Sequence, residues 1–112
     1  MKSLNDLLLE VVNVFQDIDC DVFHYTHPID SKAPFIVWAE DGPADQLEFD
    51  NKVGERSIHG TIDYFTLEEL DPRVTVIENA LNDNPNINMS LKSIQFEPST
   101  NLIHIEWDFV VS

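Results

Sequence analysis

Residues 59–81 read HGTIDYFTLEELDPRVTVIENAL, and the spacing of their apolar side chains changes partway along. Ile58, Gly60, Ile62 and Tyr64 alternate with Thr61, Asp63 and Phe65, the period-two pattern of a strand with one buried face. From Val74 the rhythm becomes three and four: Val74, Ile77 and Leu81 form one stripe, with Val76 and Ala80 beside it. Two start signals separate these rhythms. Thr66 with Glu69 suits the cap of a short turn. Asp71 before Pro72 suits an N-cap and first helical position, where proline's missing N–H leaves no helical bond unmade. The run NDNPN at 82–86 closes the helix. A strand leading straight into a capped helix points to an α+β domain.

The flanking segments extend this unit. Ser3 and Asp6 have capping-box spacing, and Leu4, Leu7, Leu8, Val11, Val14, Phe15 and Ile18 keep one helical stripe. Ala33 to Glu40, APFIVWAE, opens with Pro34 and is apolar almost throughout, which predicts a strand buried on both faces. A short strand is expected at Val22 to Tyr25. Asp41 to Arg56, DGPADQLEFDNKVGER, holds two of the three glycines and reads as a long loop or protruding hairpin arm, with Leu47 and Phe49 set among charges. Met89 to Glu97 and Leu102 to Val111 form a hairpin around EPSTN. Ile103, Ile105, Trp107, Phe109 and Val111 share one of its faces, and His104, Glu106 and Asp108 the other. The expectation is one domain over residues 1–112: an antiparallel sheet of about four strands with two helices on one face, in the order α-β-X-β-α-β-β.

Composition narrows the function classes. A chain of 112 residues that is 43% hydrophobic and 10% aromatic folds around a core of its own. No uncharged apolar run approaches the roughly 20 residues of a membrane span, and acids interrupt the apolar start MKSLNDLLLEVVNVF, so no signal peptide and no membrane association are expected. A single cysteine, Cys20, suits a reducing compartment. Against 6 Lys and Arg stand 21 Asp and Glu, a net charge of −15. Such a surface repels phosphate backbones and anionic membranes. It suits solubility, passage of DNA past the protein, or imitation of DNA.

Catalytic and metal motifs are not found in the sequence. Asp17, Asp19 and Asp21 open like a calcium loop, yet its sixth position is Val22 rather than Gly and its twelfth is Pro28 rather than Glu. Cys20, His24 and His27 have ligand chemistry without a second cluster to complete a zinc site. There is no nucleophile elbow or phosphate-cradling loop, and Cys20 with His24 lacks a cysteine-hydrolase signature. His59 and His104 fall on strand faces, and carboxylate pairs such as Glu68 with Glu69 or Glu106 with Asp108 are unavoidable at this acidity. The expectation is a protein that is not an enzyme, with no catalytic residue, cofactor or metal.

Three segments carry a resemblance: APFIVWAEDG at 33–42, GTIDYFTLEELDPRVTVIENALN at 60–82 and LIHIEWDFVV at 102–111. Together they resemble the small tail-completion, or tail-terminator, proteins of long-tailed bacteriophages and of prophages of Gram-positive bacteria. The likeness covers residues 33–111 in texture and element order. It implies a phage tail-terminator-like fold and a structural virion protein that closes the head-proximal end of the tail tube and enables head-tail joining. It further implies a ring, six-fold in that family, and location in the virion's tail and neck after assembly in the host cytoplasm. The implied partners are further copies of the chain, the tail tube protein and a head-connector or head-closure protein, with DNA passing through unbound. Contacts between ring neighbours would fall on 41–56, with Leu47 and Phe49 as apolar anchors and Lys52 and Arg56 facing a neighbour's carboxylates. Two other readings stand beside it: a head-closure protein of the same neck region, and an acidic DNA-mimic inhibitor.

Overall fold

The computed structural model describes residues 2–44 and 56–112. Its elements follow the order α1 (Leu4–Val14), β1 (Asp21–His24), β2 (Phe35–Pro43), β3 (Ile58–Thr66), α2 (Pro72–Asp83), β4 (Ile87–Glu97) and β5 (Leu102–Val111). The capping box forms: the Ser3 hydroxyl accepts from the Asp6 N–H at 3.0 Å, and the Asp6 carboxylate accepts from the Ser3 N–H at 3.2 Å. Leu7 and Val11 are buried from α1, while Leu4 stays 42% exposed at its first turn. Phe15 and Ile18, expected on the helical stripe, are buried beyond the helix end, where the chain turns toward β1.

The five strands form one sheet in the order β1-β2-β3-β5-β4. This corrects the expectation of about four antiparallel strands. The added strand is β1, and it runs parallel to β2, with Asp21 opposite Phe35 and His24 opposite Trp38. Four residues, DVFH, are too few to display a period. What makes them a strand is the exposed edge of β2, continued by the Tyr25 N–H donating to the Trp38 carbonyl at 2.8 Å. The remaining neighbours pair antiparallel, as the alternation predicts. β2 also continues to Pro43, so Asp41, Gly42 and Pro43 are strand rather than loop. A register shift between Glu40 and Gly42 interrupts that pairing, and Gly42 at φ +150° occupies backbone space that side chains disfavour.

Both helices cover the same sheet face. Leu7, Val11, Ile77 and Leu81 share one cluster with Ile36, Trp38, Ile62, Tyr64, Trp107 and Phe109. As expected, Ile77 and Leu81 are the buried stripe of α2, with Val74 partly covered and Val76 46% exposed. The Trp107 indole N–H donates to Glu78 of α2 at 3.0 Å, so the buried ring keeps its polar atom satisfied. Gly60 lies opposite Phe109 in the β3–β5 register, and a Cβ there would run into that ring and into the Ala39 carbonyl.

The junction between β3 and α2 is polar and buried. Asp71, 4% exposed, accepts from the Tyr64 hydroxyl at 2.6 Å and the Thr66 hydroxyl at 2.7 Å through Oδ2. Through Oδ1 it accepts from the Arg73 N–H at 2.9 Å, which makes it the N-cap of α2. Thr66 accepts from the Glu68 N–H at 3.1 Å, so its turn forms without Glu69. Burial alone would raise the Asp71 carboxyl, but the Tyr64, Thr66 and Arg73 donors together hold it below the ordinary value of 3.8. Because the folded value is depressed, this contribution is complete above pH 3.8 and is lost as pH falls through the lower folded-state value. Asp71→Ala is expected to destabilise the fold by about 3 kcal/mol, through one lost cap and two stranded buried hydroxyls. It should also flatten the acid limb of stability against pH. Urea unfolding between neutral and acid pH measures both, and an unchanged midpoint with an unchanged acid limb would contradict this account.

Candidate functional site

The sheet face opposite the helices collects the polar side chains that alternate with the core. Asp63 on β3 stands directly opposite Glu106 on β5, and His104 is two residues along β5 on the same face. His104 Nε2 lies 2.7 Å from Asp63 Oδ1. One ring face of His104 stacks on Phe65, with centroids 4.4 Å apart and planes 19° apart, which fixes the imidazole plane. Glu106 is met by the Ser93 hydroxyl at 3.5 Å and by the Lys92 ammonium at 3.5 Å. Lys92 occupies the irregularity between Leu91 and Ser93, where β4 carries one residue more than β5. Burial pushes the Asp63 carboxyl above its ordinary range, and the contact with His104 opposes that shift.

A second histidine on this face is arranged differently. His59 reaches Asp41 through Nδ1 at 2.7 Å and Asp108 through Nε2 at 3.3 Å. Its two carboxylates therefore sit on opposite edges of the ring. On the helix-bearing face, His24 is sandwiched between the rings of Tyr25 and Trp38, at 3.8 and 3.9 Å, and its Nε2 contacts Glu40 at 2.6 Å. The Tyr25 hydroxyl also donates to Glu40. Burial would raise the Glu40 carboxyl, but these two partners together lower it. Among the described residues, only Asp63, His104 and Glu106 bring three ligand-type atoms within 4.8 Å of one another.

The other distinctive surface is the edge strand β4, which among the described residues has one strand neighbour, β5. Leu91, Ile94 and Phe96 pair with Trp107, Ile105 and Ile103 and so point to the helix-bearing side. The helices do not cover them: they are 52%, 65% and 58% exposed. Thr66 pairs with Ile103 in the same line, so the turn bearing exposed Leu67 and Leu70 stands at the same end of the sheet. Leu70 is fully exposed and has a left-handed backbone at φ +54°, a conformation that leucine disfavours. Unlike the acid-rich remainder, β4 carries one acid, Glu97, at its last position, and one base, Lys92.

Of the residues expected to form a partner interface, Leu47, Phe49 and Lys52 lie outside the described residues, and Arg56 is exposed just ahead of β3. Cys20, His24 and His27 do not converge: Cys20 packs partly against the core, His24 turns to Glu40, and His27 packs on Phe35 at 4.6 Å. Asp17, Asp19 and Asp21 do not gather either; Asp19 pairs loosely with Arg73 at 3.8 Å. A cavity of about 530 Å³ between α1 and the α2–β4 turn is walled by Glu10, Asp17 and Asp83 together with Asn84 and Asn86. The apolar row of β4 escaped the sequence reading because Leu91 and Ile94 are three positions apart, and only the extra residue between Leu91 and Ser93 sets them on one side. The Asp63, His104 and Glu106 group escaped it because only cross-strand register joins residues forty positions apart.

Compared with known proteins, the chain matches no family model and no curated protein. Among the described residues, no helix is long and apolar enough to cross a membrane.

The thiol of Cys20 provides a direct test of this packing. Burial, reinforced by Asp21, Asp19 and Asp71, pushes it up to about 11 against the opposing pull of Arg73. At pH 8 the reactive thiolate is therefore scarce. Alkylation by iodoacetamide should be slow in the native protein and accelerate strongly in urea. Equal rates in both conditions would place Cys20 at an open surface instead.

Proposed function

We propose that this chain is a structural protein of a phage or prophage virion that completes the head-proximal end of the tail tube and enables head-tail joining as a ring. The assembly part of this reading is carried by the β4 edge: an eleven-residue strand at the margin of the sheet with Leu91, Ile94 and Phe96 exposed in one row. Monomeric proteins blunt long apolar edges, because unpaired strand groups beside apolar side chains recruit other chains. A protein that retains such an edge uses it for contact. The tail-end assignment is supported by the sequence resemblance and by the element order, in which one helix and a short strand precede a strand pair, a second helix and a final hairpin.

The net charge of −15 agrees with a ring around a DNA channel, since acidic walls do not retain phosphates. The fold offers two surfaces for this work. The apolar β4 edge suits contact with protein, and the acid-bearing open face suits a lumen. No catalytic role is included in this reading.

Deletion of the gene from an inducible lysogen tests it. The expected lysate contains filled heads beside unattached or overlong tails by electron microscopy, and normal joined virions would overturn the assignment. Heads that leak DNA beside finished tails would instead support the head-closure role. Ile94→Ser with Phe96→Ser should reproduce the deletion phenotype while changing monomer stability by only about 1 kcal/mol, because both side chains are mostly exposed. Normal assembly by this double variant would remove β4 from the interface.

A further inference from the structure

We propose that Asp63, His104 and Glu106 form a binding site for a divalent transition-metal ion of the zinc or manganese class on the open face of the sheet. One imidazole and two carboxylates are a ligand set suited to Zn²⁺, Mn²⁺, Fe²⁺ or Co²⁺, whereas Ca²⁺ and Mg²⁺ favour oxygen alone. Ligand atoms that share such an ion stand about 3–3.5 Å apart, from metal–ligand distances of about 2.0–2.2 Å. The three atoms here lie within 4.8 Å of one another, so small side-chain rotations close the set. The backbone does not need to move. Asp63 and Glu106 are fixed opposite each other by the β3–β5 register, and His104 is held flat by Phe65.

Contrast with the neighbouring histidine sharpens the assignment. His59 also has two carboxylates, but they approach opposite nitrogens of its ring and cannot converge on one ion. At His104, by contrast, Nε2 meets Asp63 at 2.7 Å, and Asp63, His104 and Glu106 each bring one ligand atom within 4.8 Å of the other two. Like charges directly opposite on neighbouring strands repel, and the Asp63–Glu106 pair calls for a cation between them. Lys92 supplies one from the side, 3.5 Å from Glu106, on a side chain that is 52% exposed. Its flexible stem allows it to swing into solvent when an ion enters. Side-chain exposures of 23% for Asp63, 27% for His104 and 20% for Glu106 leave the site accessible from water. At least one coordination position remains for water.

This inference does not depend on the role in the virion. The test is calorimetric titration of the purified, tag-free chain with ZnSO₄, MnCl₂ and CaCl₂, with the histidine ring signals followed by NMR. The expected result is one Zn²⁺ per chain with perturbation of the His104 ring, and much weaker Ca²⁺ binding. Glu106→Gln and His104→Gln should each weaken Zn²⁺ binding about tenfold or more, Lys92→Met should strengthen it several-fold, and His59→Gln should leave it unchanged. Circular dichroism of each variant checks that the fold persists. Zn²⁺ binding that is undetectable, non-stoichiometric, equal to that of Ca²⁺ or insensitive to Glu106→Gln would overturn the proposal, as would loss of binding in His59→Gln.

Discussion

A single buried carboxylate joins the two rhythms of the chain. Asp71 accepts hydrogen bonds from the hydroxyls of Tyr64 and Thr66 at the end of β3 and from the N–H of Arg73 at the start of α2. Strand and helix are therefore tied at the point where the backbone changes course, and the helix leaves at an angle that returns Ile77 and Leu81 to the sheet. Burying a charge without partners would be prohibitive. Here three donors and the nearby Arg73 guanidinium, at 3.4 Å, make the ionised form the favoured one. Leu70, held in a left-handed conformation immediately before it, shows how tightly the turn is constrained.

Most of this architecture was legible in the sequence because period and capping are local. The alternation of Ile58 to Tyr64, the Asp71–Pro72 start, the Ser3 capping box and the terminal hairpin all lie where the spacing put them. The short strand expected at Val22 to Tyr25 forms one residue earlier, as β1, but its parallel pairing was not legible, since four residues carry no period and the partner is chosen by the open edge of β2. The extension of β2 through Pro43 was hidden for a related reason. Asp, Gly and Pro disfavour strands on their own, and here an irregularity between Glu40 and Gly42 accommodates them.

The surface features depended on register, which a one-dimensional reading does not supply. Asp63 and His104 are unremarkable polar positions until β3 and β5 are aligned; then they share a hydrogen bond beside Glu106. Leu91 and Ile94, three positions apart, are out of step in the sequence; the extra residue between Leu91 and Ser93 brings them into one row with Phe96, and all three are exposed because the helices do not reach across them. The apolar anchors expected at Leu47 and Phe49 lie outside the described residues, and β4, whose charged residues are Lys92 and Glu97, carries a further apolar row that the sequence reading did not single out.

The two margins of the sheet are unequal, and that inequality gives the molecule a direction. One margin is β1, four residues long and running with its neighbour; the other is β4, eleven residues long and running against its neighbour. Strand addition of β4 to the β1 of another copy would leave most of the longer edge unmatched, so head-to-tail stacking into an endless ribbon is disfavoured. Pairing β4 with another β4 would close on itself after two copies. A rotationally repeating assembly must then set β4 against some surface other than a strand edge, with donor and acceptor faces of different character on every subunit. The brevity of β1 thus limits how much of β4 could be satisfied by edge-to-edge pairing with the β1 of another copy.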